Sequence, residues 1–131
     1  LAEDLQKPVV IHSRDAEEKA VKILKEYDLP DVMLHCFNGR PELAEDAIYS
    51  GMTIGITTQV LYSNRVQNIV EKIGYEDTLL ETDSPYLYRG DRNQPVNVLE
   101  SAEKIAEIKS EDKKEIIKST NQNAKRFFGR N

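Results

Sequence analysis

The sequence predicts an α/β protein made of parallel βα units, and three observations carry that prediction. Short β-branched runs begin near positions 8, 32, 52 and 78. Each is followed by a stretch with helical periodicity or helix-boundary residues. Polar residues of the kinds that do chemistry collect where the runs end. Parallel βα repeats imply either a doubly wound sheet or a (β/α)8 barrel. Polar side chains converging from the ends of several strands suit a barrel mouth best.

The elements follow in order. Residues 1–6 read as the tail of a helix, which Lys7-Pro8 breaks. Val9-Val10-Ile11 is a strand ending at His12. Ser13 or Asp15 can cap a helix over residues 16–27, with Ala20, Val21, Leu24 and Tyr27 on one stripe. Leu29-Pro30 stops it. Val32-Met33-Leu34 is the second strand, leading to His35, Cys36 and Phe37. Asn38-Gly39 turns the chain, and Pro41 sits where helices begin. That helix stops at Gly51. The third strand covers residues 52–56. Ser63 caps the next helix, with Val66, Ile69, Val70 and Ile73 inward and Gly74 as terminator. The fourth strand covers residues 78–82. A loop rich in Pro, Gly, Arg and Asn follows, then helices over residues 98–108 and 111–128, the last anchored by Phe127-Phe128.

Composition narrows the class. A chain of 131 residues suits one domain with its own core. With 39% hydrophobic and 31% charged residues it reads as globular. No apolar run approaches the roughly 20 residues a membrane helix needs. Cys36 is the sole cysteine, which excludes an internal disulfide and fits a reducing cytoplasm. The net charge of −5 argues against binding nucleic acid by charge alone. It leaves room for a nuclease whose metal ions supply the local positive charge.

The chemistry centres on Leu79-Leu80-Glu81-Thr82-Asp83-Ser84-Pro85. Residues two apart on a strand share a face, so Glu81 and Asp83 project together. Two carboxylates aimed at one point need a positive partner, and a metal ion is the usual one. The chain's two histidines, His12 and His35, close the first two strands. Adjacent strands lie roughly 5 Å apart, so such histidines can share a metal or serve neighbouring metals. Asp83 is nearer the strand end and is the better ligand, while Glu81 sits deeper and orients a ligand or water. Alternation places Val10 with His12, and Met33 with His35 and Phe37. Leu34 and Cys36 point the other way, into the packed helices. Arg14, Arg89 and Arg92 are candidate phosphate contacts, because the guanidinium fork matches phosphate oxygens. Singly, each of these residues also has a structural or solvated-surface reading. Jointly they define a candidate site.

Four blocks then resemble the TatD family of metal-dependent deoxyribonucleases, within the amidohydrolase-like (β/α)8 barrels. They are Pro8-Val9-Val10-Ile11-His12-Ser13-Arg14-Asp15-Ala16, His35-Cys36-Phe37-Asn38-Gly39, Leu79-Leu80-Glu81-Thr82-Asp83-Ser84-Pro85-Tyr86-Leu87 and Arg92-Asn93-Gln94-Pro95. Asn123-Ala124 with Phe127-Phe128 also looks like the family's C-terminal helix. The likeness implies that His12 and His35 bind one metal and Asp83 binds the other, with Glu81 and Arg92 close by. It implies hydrolysis of DNA phosphodiesters assisted by two divalent ions, Mg, Mn or Zn, with Asp83 and Glu81 as catalytic carboxylates and Arg14 and Arg92 on phosphate.

The chain departs from the family pattern in lacking its His-x-His pair and the bridging glutamate of the fourth strand. Tyr88 stands where a proline is common, and Gln94 where a glutamate is. The expectation is therefore a single domain, residues 1–131, forming the C-terminal half of the barrel, strands five to eight, with at most a partial metal site. Two other readings stay open: a hydrolase of small amides or esters on the same scaffold, and a catalytically incomplete assembly module. Four strands without the other four leave two exposed edges. The partners expected are DNA, no membrane, and either a second copy or the absent N-terminal half covering the open face.

Overall fold

A computed structural model describes residues 1–129. The four βα units are present. Strand β1 (Val9–His12), β2 (Val32–His35), β3 (Met52–Ile56) and β4 (Thr78–Leu80) form one sheet in chain order. Every pairing is parallel. Helix α1 (Ala2–Leu5) precedes the sheet. Helices α2 (Glu17–Leu24), α3 (Pro41–Tyr49) and α4 (Asn64–Lys72) follow the first three strands. Helices α5 (Val98–Lys109) and α6 (Lys113–Phe127) follow the loop after β4. None of the described helices is long and apolar enough to cross a membrane.

The main core lies on one face of the sheet. Leu34, Ile54 and Ile56 are fully buried there against Ala44, Ile69, Ile105 and Ile116 from the helices. Burying one Leu or Ile side chain is worth about 1.5–3 kcal/mol, so this face holds the sheet to its helices. The opposite face is covered only in part. Met33 and Leu79 meet Phe127 there, at the end of α6, whereas Val10 is 53% exposed. Phe127 is thus the anchor of the last helix, while Phe128 stays exposed. Asn123 ties the same helix to β4, its Nδ2 donating to the carbonyls of Tyr75 at 3.1 Å and Thr78 at 2.9 Å.

Several local expectations change. Neither Ser13 nor Asp15 caps α2, because its N-cap is Ala16 with no side-chain hydrogen bond. The Ser13 carbonyl instead accepts the Ala16 N–H, and Asp15 turns through a left-handed φ of 57°. Helix α2 ends at Leu24, leaving Tyr27 beyond it and exposed. Ser63 caps α4 as expected, its Oγ accepting from Val66 N–H at 3.4 Å. Gly74 does not supply a left-handed stop: the chain leaves α4 through extended Ile73. Gly51 does turn left-handed, at φ 84°, between α3 and β3.

Candidate active site

The parallel register pairs His12 directly with His35 at the ends of β1 and β2. Their ring centroids lie 5.6 Å apart, with a tilt of 37°. His12 is exposed and His35 half-buried. The sheet thus brings together two imidazoles that are remote in sequence.

Glu81 lies just past β4, its N–H still donating to the Ile56 carbonyl at 3.0 Å. One carboxylate oxygen meets His35 Nδ1 at 2.5 Å. The other accepts the Cys36 backbone N–H at 2.6 Å. Gly55 on β3 makes room for it. A Cβ there would collide with the Glu81 carboxylate and come within 2.6 Å of the Met33 methyl. A glycine inside a strand marks just such a close approach. With Nδ1–H donated to Glu81, His35 presents Nε2 as a lone pair.

That Nε2 lies 3.4 Å from Asp83 Oδ1. Asp83 reaches it from a left-handed turn, φ 56°. An imidazole lone pair facing a carboxylate oxygen is satisfied by a shared cation or a proton. The donor types, imidazole nitrogen and carboxylate oxygen, match Zn, Mn or Mg. Among the described residues, no three His, Cys, Asp or Glu side chains converge closely enough to hold an ion unaided. The residues fit a divalent metal as part of a ligand set.

Cys36 overturns the strand-alternation expectation. Its φ of 48° interrupts the extended backbone. Phe37 therefore enters the main core, 2% exposed, with its N–H on the Gly55 carbonyl at 3.2 Å. Cys36 instead lines the histidine cavity, its Sγ 3.6 Å from Gln59 Oε1. Burial pushes its thiol pKa up, and the Glu81 carboxylate adds to the rise.

The cavity has a volume of about 300 Å³ and is lined by His12, His35, Cys36, Arg14, Arg65 and Leu87, among others. Arg14 thus stands beside the histidines. Arg92 does not line it; this side chain is exposed on the loop after β4. The buried residue of that block is its neighbour Asn93, which is 2% exposed. Its Nδ2 lies 2.7 Å from Thr58 Oγ1, 2.6 Å from the Thr82 carbonyl and 2.6 Å from the Tyr86 carbonyl. Its Oδ1 accepts from Gln94 N–H and Asn97 Nδ2. This one side chain fastens the Asp83 loop to the end of β3. Arg89 faces a different hollow, with Tyr86 and Tyr88.

Comparison with known proteins places the chain. The family model described as TatD related DNase matches residues 1–129. An uncharacterized metal-dependent hydrolase of Methanocaldococcus jannaschii is 40% identical over 132 residues, spanning 99% of this chain and 52% of the relative. A human protein named as a deoxyribonuclease is 37% identical, spanning 98% of this chain and 47% of the relative. A 3'-5' ssDNA/RNA exonuclease TatD of Escherichia coli K12 is 34% identical, spanning 98% and 55%. The chain thus spans about half the length of these relatives. The crystal structure of a TatD homolog from Escherichia coli superposes with a TM-score of 0.88 at 27% identity, over 98% of this chain and 52% of that one. An uncharacterized amidohydrolase of Saccharomyces cerevisiae shares the fold at a TM-score of 0.81. The four parallel βα units are half of a barrel of this type. Matched along all its described residues by one family model, the chain belongs to the TatD-related DNases.

Proposed function

We propose that this chain is the C-terminal half, strands five to eight, of a metal-dependent phosphodiesterase acting on DNA. The observation that carries the reading is the clamp on His35, with Glu81 on Nδ1 and Asp83 facing Nε2. Such an arrangement fixes the imidazole tautomer and aims its free nitrogen at a ligand. His12 and His35 would hold one divalent ion, and Asp83 would help hold a second. When bound, such ions stabilise charge on a phosphate and acidify an attacking water. Asp83, 34% exposed at the mouth, accepts the water's proton. Glu81 acts through His35 as a positioning residue. Arg14 binds a phosphate oxygen within the cavity. Any phosphate that Arg92 takes lies outside the cavity walls. A cytoplasmic setting belongs to the same reading and is supported by the single thiol.

The test is cleavage of labelled single-stranded DNA with Mg²⁺, Mn²⁺ or Zn²⁺ by the wild type, His35→Ala and Asp83→Ala. Metal-dependent cleavage lost in both variants supports the proposal. Cleavage retained in either overturns these assignments.

The open sheet face favours a second reading, an assembly module with an incomplete site. Val10 is 53% exposed there, and β1 and β4 are both edge strands. In that case a folded sample cleaves no DNA, and light scattering finds a dimer, or a complex with the N-terminal half, covering the face. A stable monomer at high concentration that cleaves DNA counts against it.

A further inference from the structure

Arg65 was not among the phosphate candidates drawn from the sequence, yet it lines the histidine cavity together with Arg14. It comes from the first turn of α4, and its Nη1 donates to the Asn38 carbonyl at 3.2 Å. That tether holds the guanidinium in place without consuming its charge. Among the described residues no carboxylate forms an ion pair with it. Arg65 also lines a second, larger groove of about 660 Å³ that runs on from the cavity between the β1–α2 and β2–α3 loops. Arg14 lines only the cavity and not the groove. In the groove, Arg40 is already paired with Glu18 at 3.1 Å, and Lys19 lines the groove without reaching the cavity, so Arg65 is the cation that the two chambers share. Asp15 and Glu17 line both chambers, so an anion passing between them must keep to the Arg65 side.

We infer that Arg65 binds the phosphate next to the one held by Arg14, so that the site prefers ligands carrying two consecutive phosphodiesters. This rests on the phosphodiesterase reading and adds a subsite to it. A strand whose reacting phosphate lies at the histidines leaves the cavity past Arg65, where a planar fork with free N–H donors meets the next phosphate. A simple diester with one phosphate never reaches it. The groove therefore separates polynucleotides from small phosphate esters.

Calorimetry on the whole chain, without metal, tests this independently of turnover. The probes are the thymidine dinucleotide TpT, with one phosphate, and the trinucleotide TpTpT, with two. The wild type is expected to bind TpTpT more tightly. Arg65→Ala should weaken TpTpT by about tenfold, the size of one charge-assisted contact, and leave TpT unchanged. Arg65→Lys keeps the charge and should retain most of the preference, which separates lost binding from lost folding. Lys118→Ala, on the outer face of α6, should change neither. If Arg14→Ala weakens TpT while Arg65→Ala leaves TpTpT untouched, the Arg65 subsite is wrong and the phosphodiesterase reading stands. Equal weakening of both probes by Arg65→Ala also overturns the subsite. If the wild type binds neither probe, the Arg65 subsite falls, while the phosphodiesterase reading stands or falls on the metal-dependent cleavage of DNA.

Discussion

Glu81 grips His35 and the backbone of the following residue at once. One oxygen lies 2.5 Å from the His35 Nδ1 and the other 2.6 Å from the Cys36 nitrogen. The carboxylate therefore sets both the rotation of the imidazole and the direction the chain takes after β2. Replacing it with Glu81→Gln keeps the shape, but with the amide oxygen on the Cys36 N–H the amide nitrogen donates to Nδ1, which moves the imidazole proton to Nε2 and removes its lone pair. The expected result is a loss of about 10–100-fold in divalent-metal affinity. Metal titration followed through the histidine ring nitrogens by NMR measures this, and the same spectra report the tautomer. Unchanged affinity with an unchanged tautomer removes Glu81 from its positioning role.

Gly55 supplies the space for that carboxylate. Gly55→Ala inserts a methyl group against Glu81 and Met33, and overpacking of this kind costs about 1–3 kcal/mol. Urea unfolding should show the loss. The His35 NMR signals should shift with it, because the displaced group is the one that holds the ring.

Asn93 carries the loop that presents Asp83. In Asn93→Ala the carbonyls of Thr82 and Tyr86 lose a buried donor, a penalty of about 1–3 kcal/mol. Thermal unfolding should register a lower midpoint. Asn93→Asp should be worse, since it turns a carboxylate oxygen towards those carbonyls. A variant as stable as wild type would show that the loop is held elsewhere.

Cys36 gives a pH-dependent readout. Its thiol pKa is raised first by burial and then by Glu81. The folded protein therefore keeps the thiol proton above the ordinary value of 9.0, where the unfolded chain has released it. The sign follows: stability linked to this group is complete below pH 9 and declines as pH rises through the folded value. Iodoacetamide should modify Cys36 more slowly in the folded chain than in urea across pH 8–9. Glu81→Gln should speed the folded reaction by removing the neighbouring charge. Equal rates in folded and unfolded chains contradict the burial.

Strand and helix placement was legible because it depends on local patterns. β-branched runs, Pro41, Ser63 and Gly51 mark boundaries within a few residues of themselves. His12 and His35 could be matched because parallel pairing conserves distance from the strand end. The failures are places where period two breaks down. A single left-handed φ at Cys36 exchanged the fates of Cys36 and Phe37, and nothing in the residue type announces it. Arg65 escaped notice because its relation to Arg14 passes through the packing of α4, not through a strand end. Gly55 was the one missed residue with a sequence signal, a glycine in the middle of a β run. Asn93 lies in the Arg92-Asn93-Gln94-Pro95 run, where charge singles out Arg92 and nothing in the sequence marks the amide. The burial of Asn93 is a property of the folded chain.

The direct pairing of His12 with His35, backed by Glu81 from beyond β4 and by the vacancy at Gly55 on β3, has a kinetic meaning. Every strand of the sheet lends the site one part, so no partly folded chain owns it. The contact between Glu81 and His35 forms only after the last strand has docked. The His35 resonances are thus a clock for completion of the sheet, and a species in refolding that shows them in native positions has already brought Glu81 beside β2.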